Sequence, residues 1–219
     1  VSGCALHNRG VINLLNEIVD LMPAPVDRTD VVALDKDGNP VNVYCEENAP
    51  FSGQVFKTIV DPFVGKLSII RVYSGVMQSG MTVINGRTGD KERINQLYVL
   101  KGKKQETVAE LCAGDIGAVA KMTSVKTGDT LYREDRKVTY PQIPFDEPNL
   151  AMAISAVKHD EEDKVFQGFY KLAEEDTSFK IEKDPMTGET LVKGQGETQL
   201  KVLCKKLKTK FGVEAELKE

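Results

Sequence analysis

The sequence predicts a small all-β barrel followed by an α+β domain, with a short amphipathic helix in front of them. Residues 50–142 alternate short strand-like runs with glycine turns and contain no helical stretch, which is typical of a barrel. Residues 143–219 follow the order β-α-β-β-α-β of the split ferredoxin-like fold. Pro141 and Pro144 mark the boundary between them. A chain of 219 residues is long enough to build two such cores.

Composition indicates a soluble protein without a metal or disulfide framework. Hydrophobic residues make up 41% of the chain and charged residues 28%, and no apolar run reaches the length of a membrane span. No signal peptide leads the sequence, so we expect a cytoplasmic protein with no membrane partner. The four cysteines are scattered and form no CxxC pair, which favours reduced thiols and no metal site.

The net charge of −4 hides a basic middle. Residues 50–142 carry 14 basic and nine acidic side chains, whereas both flanks are acidic. This pattern favours a local contact with a polyanion, although a chance fluctuation of surface charge would look the same.

The N-terminal segment predicts one amphipathic helix. Apolar residues fall on a single helical face from Val11 to Leu21, Asn8 can cap the start, and Met22-Pro23 ends the run. Such a short helix needs a partner for its apolar face. Residues 26–49 are polar, and Asp35–Pro40 predicts a chain reversal between two short apolar runs.

The basic middle predicts six strands and a candidate surface for RNA. The strands are expected at Gly53–Val60, Lys66–Tyr73, Met81–Ile84, Glu92–Leu100, Gly117–Met122 and Thr130–Tyr132, with Ser-Gly turns at 74–75 and 79–80. Basic side chains would neutralise phosphates and release counterions. The candidate RNA contacts are Lys66, Arg71, Lys91, Arg93, Lys101, Lys103 and Lys104. A merely solvated face remains the alternative, and Tyr73 and Tyr98 are expected in the core rather than stacked on bases.

The C-terminal third predicts two helices and four strands. Expected strands lie at Leu150–Val157, Phe179–Lys183, Glu189–Lys193 and Val213–Leu217. One helix should begin at Asp160, where acidic residues suit the helix dipole, and a second should run from Glu197 to Phe211 and end at Gly212.

No catalytic motif is present. The sequence has no GxxxxGK[ST] phosphate loop, no NKxD-like motif and no nucleophile elbow, so we expect no catalytic residue and no nucleotide bound by this chain alone.

Several phrases, in order along the chain, resemble the translocation GTPase elongation factor G. The runs Asp61-Pro-Phe-Val-Gly-Lys-Leu67 and Arg71-Val-Tyr-Ser-Gly75 are similar to its second domain, as are Ala113-Gly-Asp115 and Thr127-Gly-Asp129. Lys171–Asp176, Gly194–Glu197 and Phe211–Glu214 resemble its third domain, and Gly3, Ala5 and Asn8–Val11 resemble the end of its GTPase domain. The resemblance implies a translation-factor barrel at 50–142, a ferredoxin-like domain at 143–219, a connector at 28–49 and the end of an α/β GTPase domain at 1–27.

The resemblance also implies a function and site residues. The intact protein would be a ribosome-stimulated GTPase, with GTP and Mg, that promotes translocation of tRNA and mRNA or ribosome recycling. This chain would supply docking surfaces for ribosomal RNA and proteins and would couple to the GTPase domain and C-terminal domains it lacks. Gly3, Cys4 and Ala5 would lend backbone groups to the guanine, and the turn at Gly194, Gly196 and Glu197 would relay nucleotide state. Gln199 and Lys201 replace the His and Glu usual in the family, which suggests a divergent paralogue.

Three other interpretations remain open. A ribosomal protection or release-type translation GTPase would share these domains. A stand-alone barrel that binds oligonucleotide or protein would have no use for the helix at Val11. An enzyme in its own right would require tight binding of GTP by residues 1–219.

Overall fold

The computed structural model describes residues 2–28, 31–61, 65–102 and 104–218. Within these ranges no helix is long and apolar enough to cross a membrane.

The N-terminal helix forms, but its predicted cap was wrong. A 3-10 turn at Ala5–His7 is followed by α1 at Val11–Leu21. Gly10, with φ of 76°, takes the N-cap position, and Asn8 instead closes the preceding turn in a left-handed conformation. The backbones of Cys4 and Arg9 pair with each other and reverse the chain. Asn8 lies inside this reversal, so it is not available to cap the helix. No residue of α1 is buried, so its apolar face has no partner among the described residues.

The polar segment folds into the predicted reversal and packs on the barrel. Strands β1 (Val32–Leu34) and β2 (Pro40–Asn42) are antiparallel. The Asp35 carboxylate accepts hydrogen bonds from the backbone N–H groups of Asp37 and Asn39, at 2.8 and 2.9 Å. A small core joins this hairpin to the barrel through Ala33, Val43, Tyr132, Val138 and Tyr140.

The barrel is a curled sheet around one apolar core. Its strands are β3 (Ser52–Asp61), β4 (Gly65–Ser74), β5 (Val76–Gln78), β6 (Thr82–Asn85), β7 (Lys91–Arg93), β8 (Leu97–Lys101), β9 (Lys104–Val108), β10 (Glu110–Cys112), β11 (Ile116–Ala120) and β12 (Thr130–Tyr132). Eight of them form an antiparallel sheet in the order β7-β6-β12-β3-β4-β11-β8-β9, and β5 pairs with β10. The core contains Val55, Ile70, Val83, Leu97 and Val119, which come from five different strands.

The structure has four strands that the sequence did not predict as separate elements. The expected strand Glu92–Leu100 is broken into β7 and β8, because β7 pairs with β6 whereas β8 pairs with β11 and β9 at the other end of the sheet. Strands β5, β9 and β10 are short or mainly polar and lack an apolar alternation. Gly75 is needed at the turn before β5, since its φ is 72° and a Cβ atom would lie 2.5 Å from the carbonyl oxygen of Ala49.

The C-terminal domain has the predicted ferredoxin-like topology. It contains β13 (Leu150–Ala156), α2 (Glu162–Glu175), β14 (Lys180–Lys183), β15 (Thr190–Gly194), α3 (Glu197–Phe211) and β16 (Ala215–Lys218). The sheet order is β14-β15-β13-β16, with all neighbours antiparallel. Helix α2 begins at Glu162 because a 3-10 turn occupies His159–Glu161. Helix α3 has the predicted bounds and ends at Gly212 in a left-handed conformation.

Candidate functional site

The two domains meet where helix α2 packs against the end of β3. Strand β12 pairs with β3 only at Ser52–Gln54, which leaves the later part of that β3 edge without a strand neighbour. The backbone N–H of Val60 donates to a carboxylate oxygen of Glu175 at 2.7 Å. Lys210 Nζ, on α3, donates to both oxygens of the same carboxylate at 2.7 Å. A side chain of one domain therefore holds the backbone of the other.

Lys66, predicted to contact RNA, takes part in the same junction. Its ammonium lies 3.2 Å from the Glu174 carboxylate, and its side chain is only 19% exposed. Two cavities flank this ion pair. One, of about 370 Å³, is lined by Thr58, Thr127, Tyr170 and their neighbours, and the other, of about 480 Å³, by Val60, Lys171, Phe211 and their neighbours. The junction is thus built from a few polar pairs around open space rather than from an apolar core.

Arg71 is half-buried beside a third cavity. Its guanidinium lies 5.3 Å from the centre of the Tyr73 ring, and its Nε has no hydrogen-bond partner among the described residues. The cavity, of about 300 Å³, is also lined by Gln54, Phe56, Ile116 and Ile143. The Tyr73 ring itself packs against Tyr140 at 4.5 Å between centroids, so its position is structural.

The remaining predicted RNA contacts lie at the two ends of the sheet order. Lys91 in β7 pairs with Glu134 at 3.1 Å, and Lys101 in β8 pairs with Glu106 at 2.7 Å. Arg93 in β7 and Lys104 in β9 are exposed and have no acidic partner within 4 Å in the described part of the chain. Lys103 lies outside the described residues. Lys91 and Arg93 lie together on β7, and Lys101 and Lys104 lie together on the β8–β9 hairpin. Lys66 and Arg71, in β4, lie apart from both groups.

The stretch Gly3, Cys4 and Ala5 lines a surface hollow with Arg9, Gly10, Val11 and Leu14, about 220 Å³ in volume. A Cβ atom on Gly3 would lie 2.5 Å from the carbonyl oxygen of Arg9, so close backbone packing alone requires a glycine there. The described residues contain no group of three His, Cys, Asp or Glu side chains that could hold a metal ion.

The glycine turn before α3 has one tightly packed member. A Cβ atom on Gly194 would lie 2.7 Å from both Gln199 Oε1 and Leu200 Cδ2, whereas Gly196 has no atom within 4 Å of that position. Gln199 accepts from the Gln195 backbone N–H at 2.7 Å and donates to Ser178 Oγ at 2.6 Å, so it ties the glycine turn to the turn before β14. Glu197 pairs with Lys201 at 2.7 Å. The hydrogen bond from Lys201 holds the pKa of Glu197 below its usual value.

Sequence reasoning missed the acceptors at the junction and a buried carboxylate in the barrel. Glu174 and Glu175 lie in the run Lys171–Asp176, which was recognised only for its resemblance to the family. No apolar periodicity in that run shows that these two residues face another domain. Asp129 is 2% exposed and accepts hydrogen bonds from the side chains of Arg87 and Asn85 and from the Lys126 backbone N–H. The Gly-Asp pair at 128–129 is a weak signal for it, because such pairs usually mark exposed turns.

Comparison with known proteins identifies both domains. Residues 50–134 match the family model of elongation factor G domain 2, and residues 145–219 match that of elongation factor G domain III. The chain is also similar to a crystal structure of a protein from Thermus thermophilus, with 30% sequence identity and a TM-score of 0.76. That match covers 95% of this chain and 29% of the other, so the chain spans less than a third of the protein it resembles. Neither matched domain is the catalytic part of elongation factor G. The chain belongs to the elongation factor G family and carries its second and third domains.

Proposed function

We propose that this chain supplies the ribosome-docking and coupling parts of an elongation factor G-like translational GTPase. The intact protein promotes translocation of tRNA and mRNA, or ribosome recycling, in the cytoplasm. Its GTP and magnesium are bound by a GTPase domain whose phosphate loop lies outside these residues. The observation that carries the proposal is the succession of the two family domains, joined through specific side-chain contacts.

The two domains have different roles in this proposal. The barrel attaches to ribosomal RNA and proteins, and its exposed cations Arg93 and Lys104 bind phosphates because no acidic neighbour in the described chain neutralises them. Lys66 instead joins the domains, since its ammonium is already paired with Glu174. The ferredoxin-like domain transmits its orientation to the GTPase and C-terminal domains of the intact protein.

Charge reversal tests the docking surface. Co-sedimentation of the purified chain with small ribosomal subunits gives the dissociation constant of wild type, Arg93→Glu and Lys104→Glu at one low salt concentration. Each reversal should weaken binding several-fold and lower the slope of log affinity against log salt by about 1. Lys164→Glu, on the exposed side of α2, is the matched control and should bind like wild type. Equal affinities for all four proteins would contradict this assignment of the barrel surface.

A further inference from the structure

The segment between the domains is held by hydrogen bonds at both ends, and between them only Ile143 is half-buried, in the cavity beside Arg71. On the barrel side, the buried Gln54 donates its side-chain N–H to the carbonyl oxygen of Pro141 at 2.8 Å. On the other side, Gln195 Nε2 donates to the carbonyl oxygens of Asp146 and Glu147, at 3.0 and 3.1 Å. Residues 142–145 between these anchors make no hydrogen bond within the described chain and belong to no helix or strand. We call residues 142–145 the hinge segment.

A hinge segment without hydrogen bonds does not by itself fix the angle between the domains. That angle depends on contacts away from the hinge, at the junction of α2 with β3. Surface pockets of about 370 and 480 Å³ flank the junction, and neither apolar core extends across it. Polar contacts must therefore supply most of the orientational restraint.

Among those contacts, the one at Glu175 is the most restrictive. Its side chain is 14% exposed, and one carboxylate accepts from the Val60 N–H and from Lys210, each at 2.7 Å. The backbone donor belongs to a strand of the barrel and cannot follow the ferredoxin-like domain if that domain turns. The neighbouring Glu174 is 51% exposed and, in the described part of the chain, pairs with Lys66 alone. Water weakens this pair at the Glu174 end, and the long Lys66 side chain can follow a rotation of the domain.

We propose that Glu175 is a latch that holds the ferredoxin-like domain at one angle to the barrel, and that releasing it frees rotation about the hinge segment. Lys210 positions the latch, because it holds the carboxylate toward Val60 from the adjacent helix. Breaking the bond leaves Val60 N–H on an uncovered strand edge, where water takes the place of the carboxylate. Rotation then proceeds without unfolding either domain, since neither apolar core crosses the junction.

Residual dipolar couplings of the backbone amides of this chain test the latch, without a ribosome and therefore independently of the proposed function. In wild type, couplings from both domains should fit one alignment tensor. In Glu175→Ala the couplings of the two domains should require two separate alignment tensors, and the tensor of the ferredoxin-like domain should be smaller in magnitude. The Val60 amide should exchange with solvent about tenfold faster or more, because a hydrogen bond to a charged acceptor is lost.

Two further variants make the result decisive. Glu182→Ala removes an ion pair of similar length but greater exposure, with Lys193, inside the ferredoxin-like domain and should behave like wild type. Glu175→Gln can still accept from Val60 but cannot pair with Lys210, so it should give an intermediate effect, and it takes the place of Glu175→Ala if that variant fails to fold. A single tensor together with wild-type protection of Val60 in the Glu175 variant would overturn the latch. So would an equal loss of alignment in Glu182→Ala.

Discussion

Replacing Asp129 should destabilise the barrel more than any exposed charge in it. The carboxylate is 2% exposed and accepts from Arg87 Nε at 2.7 Å, Arg87 Nη2 at 2.9 Å, Asn85 Nδ2 at 2.8 Å and the Lys126 N–H at 2.9 Å. These bonds join the turn after β6 to the turn before β12. Loss of the carboxylate therefore removes four bonds and leaves their donors to find new partners.

The magnitude follows from which donors can reach water. Asn85 is fully buried, and an unsatisfied buried donor costs about 1–3 kcal/mol. The Lys126 N–H is partly buried, so leaving it without an acceptor costs less free energy than leaving Asn85 without one. The Arg87 side chain is 39% exposed and rehydrates, so its share is small despite the short distances. Asp129→Ala should lower the free energy of unfolding of the barrel by about 3 kcal/mol.

Urea titration followed by tyrosine fluorescence measures this loss. The chain has no tryptophan, and Tyr170 is the one tyrosine beyond residue 143, so the signal reports mainly on the barrel and the hairpin packed against it. With a slope of about 2 kcal/mol/M, the midpoint should fall by about 1.5 M. Asp135→Ala, which removes an exposed pair with Arg133, should leave the midpoint close to the wild-type value. A loss below about 1 kcal/mol for Asp129→Ala would refute the reasoning.

The same carboxylate gives the barrel an acid dependence of known sign. Burial raises the pKa of Asp129, but hydrogen bonds from Arg87, Lys126 and Asn85 outweigh it and hold the pKa below its usual 3.8. The stabilisation is therefore complete above about pH 5 and is lost as the pH falls through the lowered value. The difference in unfolding free energy between wild type and Asp129→Asn should shrink from pH 5 toward pH 3. A constant difference over that interval would show that the pKa of Asp129 is the same in the native and unfolded states, which would contradict the lowered native value.

Two other predictions concern single packing and hydrogen-bond sites. Gly194→Ala places a Cβ atom 2.7 Å from Gln199 Oε1, which is held by hydrogen bonds, and from Cδ2 of the buried Leu200, and should destabilise the ferredoxin-like domain by about 1–3 kcal/mol. Gly196→Ala meets open space and should cost less, about 0.5 kcal/mol, because Ala is a poorer N-cap than Gly. Helical circular dichroism during thermal unfolding separates the two variants, and equal effects would contradict the packing argument. Tyr140→Phe removes the hydroxyl that lies 2.7 Å from Ser52 Oγ and should cost about 1 kcal/mol, because Ser52 keeps its bond to Ser74. Urea unfolding checks this value, and an unchanged midpoint would show that the buried hydroxyl contributes nothing.

The fold was predictable where apolar periodicity and turn residues agree. Helix α3 has its predicted bounds because Glu197 begins an apolar face and Gly212 ends it in a left-handed conformation. The long strands β3 and β4 were found because branched residues fill both. Strand β9 was missed because its alternation is polar and it is held mainly by pairing with β8.

The site was less predictable, because charge alone does not identify a partner. Lys66 and Lys104 look alike in the sequence, yet Lys66 pairs across the domain junction and Lys104 is exposed. Lys66 is paired because the folded helix α2 places Glu174 beside it, although Glu174 is more than a hundred residues away in the sequence. Glu175 was overlooked for the same reason, since its partner is a backbone group that leaves no mark in the sequence. The Asn8 cap failed locally, because the chain reversal at Cys4–Arg9 takes that residue before the helix starts.

Salt dependence of ribosome binding tests the central proposal most directly. The dissociation constant of the wild-type chain for small ribosomal subunits should be measured from low to physiological salt. Attachment through barrel cations predicts that log affinity falls linearly with log salt, by about 0.7–0.9 for each phosphate contact. No binding at low salt, or an affinity that does not change with salt, would contradict docking of this barrel on ribosomal RNA.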